Sequence, residues 1–241
     1  MKSILPILFL LLCSFGCQNS TNSLATNEVI VLEHLVRNPQ NSKLKSPTLI
    51  LLHGYGSNEK DLFSLAQHID PAWLVISARA PMTIEENKYQ WYDIDRSTTA
   101  LIHDSSQAET SRKTLLKFID QIIERYQVDP KRIILGGFSQ GAIMSSSIGL
   151  TRPDKVKGIA CFSGMILEEV KSLKANSLAL KNLKVFIAHG QNDPVLPFSH
   201  AEDSNAFFIK SGTKPTVHFD QSNHTISNAG FAAFIEWMKD I

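Results

Sequence analysis

The sequence predicts an α/β domain with a mostly parallel central sheet and helices on both faces. Short, continuous apolar runs recur along the chain, the mark of strands buried on both faces. Segments with helical spacing separate them, and that alternation calls for parallel strands joined by crossover helices. The length of 241 residues, 43% hydrophobic and 20% charged, suits one domain with a sizeable core. A net charge of +1 without a long basic block speaks against nucleic-acid binding.

The first residues stand outside this pattern. Lys2 precedes the apolar run Ile4 to Leu12, and "CSFGC" follows, as in an export signal. The run is too short to span a membrane. Gly16-Cys17 resembles the end of a bacterial lipoprotein signal, although Ser14 and Phe15 stand where Leu and a small residue are usual. On that reading residues 1–16 are the signal peptide, and Cys17 carries lipid and becomes the mature N-terminus. Residues 17–27 are then a polar tether, and 28–241 the folded domain. The protein is exported and meets the membrane only through this lipid, in the periplasm or at the outer membrane. Plain secretion and a retained N-terminal anchor are the other readings. Cys161, in "GIACF", is then left alone and reads as a buried small residue.

From residue 28 the elements follow in order. Residues 29–36 read as an edge strand, and 48–54, "TLILLHG", as a buried strand ending in glycine. A helix is expected from about Glu59 to Ile69, then a strand at 73–78. Ser106-Gln107-Ala108-Glu109 resembles a capping box, and Leu115, Phe118, Ile119, Ile122 and Tyr126 mark one face of the helix behind it. "RIILGG" is a strand, Gln140 to Leu150 a helix, and "VKGIACF" and residues 183–190 are strands. A helix from His200 to Lys210, a strand at 216–220 and a helix carrying Phe231, Phe234, Ile235 and Met238 complete the chain. Sites in such sheets form beyond the carboxyl ends of the strands.

That edge carries the chemistry. Gly137-Phe138-Ser139-Gln140-Gly141 matches G-x-S-x-G between a strand and a helix. There a sharp turn exposes the serine hydroxyl, and a side chain at either glycine would collide with the neighbouring elements. A serine hydroxyl needs a base to take its proton, and an acid to orient that base. Asp193 lies just past the strand 183–188, with Asp220 as the second candidate acid. Of the histidines after Asp193, His224 sits in a loop, His218 within a strand and His200 at a helix start, which favours His224 as base. The oxyanion needs two fixed N–H donors: the amide of Gln140, and one from the His53-Gly54-Tyr55-Gly56 loop, best supplied by Tyr55. His53 and His189 read as structural supports of their loops. No H-E-x-x-H or paired-cysteine pattern suggests a metal.

"LHGYGSNEKDL", "RAP" (79–81), "WYDI" (91–94), "GGFSQGA", "HGQNDPVLP" and "NHTIS" together resemble the phospholipase/carboxylesterase family of α/β-hydrolases from about residue 47 to the end. The resemblance implies the α/β-hydrolase fold, a triad of Ser139, Asp193 and His224, and an oxyanion hole from the Tyr55 and Gln140 amides. It places Trp91 near the acyl-binding side, with an ordinary core aromatic as the alternative. It implies hydrolysis of small-molecule esters or thioesters through an acyl-enzyme, with no cofactor. The chain departs from the family at "SGMIL" (163–167). Phe162 ends one strand and Leu183 begins the next, leaving about twenty residues, too few for a cap domain. The stretch from Pro81 to Ser105 could wall the acyl groove. Short to medium acyl chains are therefore expected. A lysophospholipase, an acyl-peptide hydrolase or peptidase with the same triad, and a non-catalytic surface lipoprotein are the alternatives.

Overall fold

A computed structural model describes residue 1 and residues 29–40, 45–95 and 102–241. Cys17 and the expected signal and tether lie outside the described residues, apart from Met1. Among those described, strands β1 (His34–Arg37), β2 (Thr48–Leu52) and β3 (Leu74–Ala78) open the sheet. Two small hairpins follow, β4 (Met82–Glu85) with β5 (Lys88–Gln90), and β6 (Ile94–Asp95) with β7 (Ile102–His103). β8 (Ile133–Phe138), β9 (Gly158–Phe162), β10 (Lys184–Gly190) and β11 (Thr216–Asp220) complete the main sheet, in the order β1-β3-β2-β8-β9-β10-β11. All its pairings are parallel except β1 with β3.

Strand periodicity divides the core into two layers. Ile50 and Leu52 of β2 face one cluster, while Leu49 and Leu51 face the other. α2 (Ser105–Arg125) and α3 (Gln140–Thr151) cover the first face. There the expected stripe of Leu115, Phe118, Ile119 and Ile122 has no exposed surface. α1 (Glu59–Phe63) and α7 (Asn228–Met238) cover the second, where Phe162, Phe186, Phe234 and Trp237 pack as an aromatic group. α4 (Glu168–Leu173) and α5 (Ser177–Leu180) occupy the stretch between β9 and β10, and α6 (Ser199–Lys210) follows β10.

Three local expectations need correction. The first strand begins only at His34, because the Gln121 side chain engages the backbone at Val29 and Val31 instead, at 3.1 and 2.9 Å. The helix expected over 59–69 is α1 followed by a 3-10 segment, Ser64–His68. The cap of α2 is Asp104, whose carboxylate accepts the Gln107 N–H at 2.9 Å, so the capping register starts two residues before Ser106. The Gln107 side chain bonds Asp93 and not the cap residue, at 2.7 and 2.8 Å, tying α2 to the 91–93 segment. Cys161 is buried as expected; burial pushes its thiol up to about 12, and its sulfur lies 3.1 Å from Ser146 Oγ.

Candidate active site

Ser139 stands at the turn from β8 into α3 with φ +53° and ψ −118°. That conformation costs a residue with a side chain about 1–3 kcal/mol, and the neighbours enforce it. A Cβ on Gly137 would overlap the backbone of Gly141, and one on Gly141 would overlap the Leu52 carbonyl. Only glycine lets β2, β8 and α3 close to this distance. The Ser139 N–H donates to Phe162 O at 2.9 Å, which pins the turn to β9.

His224 arrives on the loop between β11 and α7. Its Nε2 lies 2.9 Å from Ser139 Oγ and its Nδ1 2.7 Å from Asp193 Oδ2. The Phe138 ring packs against the imidazole at a centroid distance of 4.9 Å. Asp220 braces this loop on both sides of His224. Its carboxylate accepts from the Ser222 N–H at 2.9 Å and from the Ser222 and Ser227 hydroxyls. Burial alone would raise the Asp220 carboxyl, but these hydrogen bonds outweigh it and hold it at about 2. The second candidate acid thus supports the base loop and takes no place in the row.

The Asp193 side chain has no exposed surface. Its Oδ1 accepts the N–H groups of Val195 and Leu196 at 2.8 and 2.9 Å. Besides His224, its Oδ2 has His189 Nε2 at 3.3 Å. That nitrogen is also 2.8 Å from Leu196 O; a carbonyl only accepts, so Nε2 carries the proton. Burial lowers the pKa of His189, keeping the ring neutral. Donors therefore meet both oxygens of Asp193 and set the plane of its carboxylate toward His224.

The loop after β2 also approaches Ser139. Gly54 runs beside Ser139, since a Cβ there would come 3.4 Å from Ser139 Cβ. Tyr55 follows in a turn fixed to β5 by Gly56 N–H to Tyr89 O at 2.9 Å and Tyr89 N–H to Ser57 O at 2.8 Å. His53 is a strut behind it. Ala80 N–H donates to its Nε2 at 3.0 Å, so Nδ1 bears the hydrogen and donates to Gly54 O at 2.7 Å. Burial lowers this histidine's pKa as well. Gln140, at the first turn of α3 where N–H groups lack helical acceptors, is locked by its side chain. Its Oε1 accepts Trp91 N–H, and its Nε2 donates to Tyr92 O, each at 2.7 Å. Trp91 itself is wholly buried, its indole N–H on His53 O at 2.9 Å. It supports the site from behind and offers substrate no surface.

Sequence reasoning missed one further support. The Arg79 Nε and Nη2 donate to the two carboxylate oxygens of Glu59 at 2.6 and 2.7 Å, and its guanidinium lies 4.7 Å from the centre of the Tyr89 ring. Glu59 begins α1 and Tyr89 anchors the turn at Gly56, so Arg79 clamps both sides of the Tyr55 loop. Nothing in a single sequence links charges twenty positions apart. His218 and His200 make no hydrogen bond to Ser139 or Asp193 among the described residues. His218 lies on β11 with Nε2 3.4 Å from Asp220 Oδ2, and His200 lies in the first turn of α6.

A serine, an imidazole and a carboxylate in one hydrogen-bonded row, past the ends of parallel strands, define an α/β-hydrolase. The chain belongs to the phospholipase/carboxylesterase family, whose model matches residues 35–241. It is a serine hydrolase of carboxylic esters or thioesters. Among its relatives, a putative hydrolase, MhqD, of Bacillus subtilis is 27% identical over 80% of this chain and 92% of its own. Acyl-protein thioesterase 1 of Mycosarcoma maydis is 30% identical over 71% of this chain and 79% of its own. The solved structure of esterase PE8 is 29% identical, with a TM-score of 0.78, over 87% of this chain and 99% of that one. The Bacillus cereus carboxylesterase is 25% identical, with a TM-score of 0.74, over 87% and 94%. No helix among the described residues is long and apolar enough to cross a membrane.

Proposed function

We propose that Ser139 is the nucleophile, His224 the general base and acid, and Asp193 the residue that orients and stabilises the imidazolium. The observation that carries this is the unbroken row from Ser139 Oγ through His224 to Asp193 Oδ2, with steps of 2.9 and 2.7 Å. Ser139 Oγ attacks the carbonyl carbon while its proton passes to His224 Nε2. The oxygen turns negative between the backbone N–H groups of Tyr55 and Gln140. On collapse the bond to the alcohol or thiol breaks, and His224 gives that group its proton. Water, deprotonated in turn by His224, then releases the acid from Ser139. Trp91 acts by holding Gln140 and the carbonyl of His53, keeping both donors in place.

Substrates are esters or thioesters of short to medium acyl chains. α4 and α5 are short and fill the stretch where a cap would be inserted. Without an enclosing cap, the gain of about 0.8 kcal/mol per buried methylene stops where the groove wall ends. The enzyme works outside the cytoplasm, on a lipid attached at Cys17 and the tether behind it. The reading is supported by the apolar run and the Gly16-Cys17 pair.

Ser139→Ala tests the assignment. The folded variant should lose at least ~10³-fold in hydrolysis of a p-nitrophenyl ester, and its labelling by a fluorophosphonate. A variant that keeps a tenth of wild-type activity rejects Ser139 as nucleophile.

A further inference from the structure

A groove of about 260 Å³ lies between α1 and the loop that carries His224, and reaches the site through His224 and Phe138, the residue before Ser139. Leu62, Leu65, Phe138 and Ile226 give it an apolar half, and Ser64, Thr225, His224 and the exposed Asp61 carboxylate a polar one. Ser57 Oγ donates to one oxygen of that carboxylate at 2.7 Å, holding it in place. The groove is smaller than the roughly 300–1,000 Å³ of sites that enclose a whole ligand. It has room for one portion of a substrate.

Proton transfer decides which portion. An ester offers two substituents on the attacked carbon, the acyl chain and the departing alcohol or thiol. When the tetrahedral intermediate collapses, the carbon–oxygen or carbon–sulfur bond breaks, its electron pair goes to the departing atom, and that atom takes the proton on His224 Nε2. It must therefore lie within hydrogen-bond reach of Nε2. The acyl chain has no such requirement. His224 itself lines this groove, opposite α1. We infer that the groove seats the leaving group and selects alcohols or thiols that are apolar next to the ester and neutral or cationic beyond it. The Asp61 carboxylate disfavours leaving groups that carry a carboxylate or phosphate. This inference rests on the roles proposed above for Ser139 and His224.

Butyrate esters of size-matched alcohols test it: one neutral and branched, one bearing trimethylammonium, one bearing a carboxylate. The ratio of kcat/KM for the cationic over the anionic ester should be about tenfold or more at low salt. It should shrink toward one near 1 M salt, where screening reaches ~3 Å. Asp61→Asn should cut the low-salt ratio at least ~3-fold. Leu65→Trp, which fills the groove, should lower kcat/KM for the branched neutral ester about tenfold relative to the methyl ester. Across methyl esters of increasing acyl length it should keep the wild-type profile. Equal rates for all alcohols, unchanged by Asp61→Asn, overturn the assignment and leave the hydrolase reading standing. A Leu65→Trp enzyme that loses acyl-length dependence but not alcohol dependence assigns the groove to the acyl chain instead. Turnover of no ester by the wild-type protein overturns the hydrolase reading, and this inference with it.

Discussion

Arg79→Ala should cost both stability and turnover, by amounts that the geometry sets. The substitution removes two charge-assisted hydrogen bonds and leaves Glu59, whose side chain is 5% exposed, without its guanidinium. Breaking a fully buried pair costs about 3–5 kcal/mol. Arg79 is 28% exposed, so water can reach part of the gap and the expected loss is about 2–3 kcal/mol. For a domain of this size that lowers Tm by about 4–12 °C. Acid should close the difference. The Arg79 hydrogen bonds lower the Glu59 pKa in the folded protein. A depressed carboxyl contributes its stability above its unfolded value, near ~4.3, and loses it as pH falls through the folded one. In the variant only a backbone hydrogen bond and the Lys60 charge still oppose the burial of Glu59, which favours the protonated form, so the penalty is full at pH 7 and fades below about pH 4. Turnover should fall through the loosened Tyr55 turn, with kcat reduced about tenfold and KM nearly unchanged, as for a weakened oxyanion donor. Calorimetry from pH 7 to about pH 3 beside ester kinetics would measure both. A Tm within 2 °C of wild type, or a gap that does not narrow in acid, would refute the clamp.

His224→Ala should lower kcat at least ~10³-fold while His218→Ala stays within a few-fold; equal losses in ester hydrolysis would name a different base. Asp220→Asn replaces one of the two accepting oxygens by an amide donor, so that either the Ser222 donors or the Ser227 hydroxyl loses its acceptor, and should cost about 1–2 kcal/mol and lower kcat. Because Asp220 is held at about 2, its contribution persists above its unfolded value near ~3.9 and fades toward pH 2. An acid melting series on both proteins should therefore converge there and not at neutral pH. Mass spectrometry of protein from its native host should find a diacylglyceryl thioether on Cys17 as the first residue. An unmodified N-terminus downstream of it would remove the lipoprotein reading.

The parts of the molecule that were legible in the sequence are those with a short-range physical cause. A strand buried on both faces must be apolar throughout, so β2, β3, β8, β9 and β10 could be read directly. The Ser139 turn needs glycine at 137 and 141, and that pair marked it. Position then selected Asp193, just past a strand end, and His224, in a loop, which the structure brings into one row. What could not be read depends on distant partners or on competition between equivalent groups. Ser106 and Asp104 both satisfy a cap, and the choice falls to Asp104, whose backbone N–H also reaches Asp93 O at 3.0 Å. The first strand starts late because Gln121, some ninety positions on, engages its backbone. The family pattern "WYDI" allows Trp91 near the acyl side or as a core aromatic, and its complete burial fits the second.

The catalytic row is also laid across the sheet from its middle to its rim. Ser139 follows β8, the central strand, whose residues are buried from Ile133 to Gly137. Asp193 follows β10, next to the edge, and His224 hangs from β11, the edge strand, which is exposed at Thr216 and Val217. Strands at a rim open locally at lower free energy than those at the centre. Ser139, the proposed nucleophile, is thus fixed to the most protected part of the sheet, and His224, the proposed base, to its edge. Fraying at β11 and the loop after it disconnects the proton relay while the core stays folded. Activity should therefore report on the integrity of one edge, and mild heating should lower ester turnover reversibly before calorimetry registers unfolding.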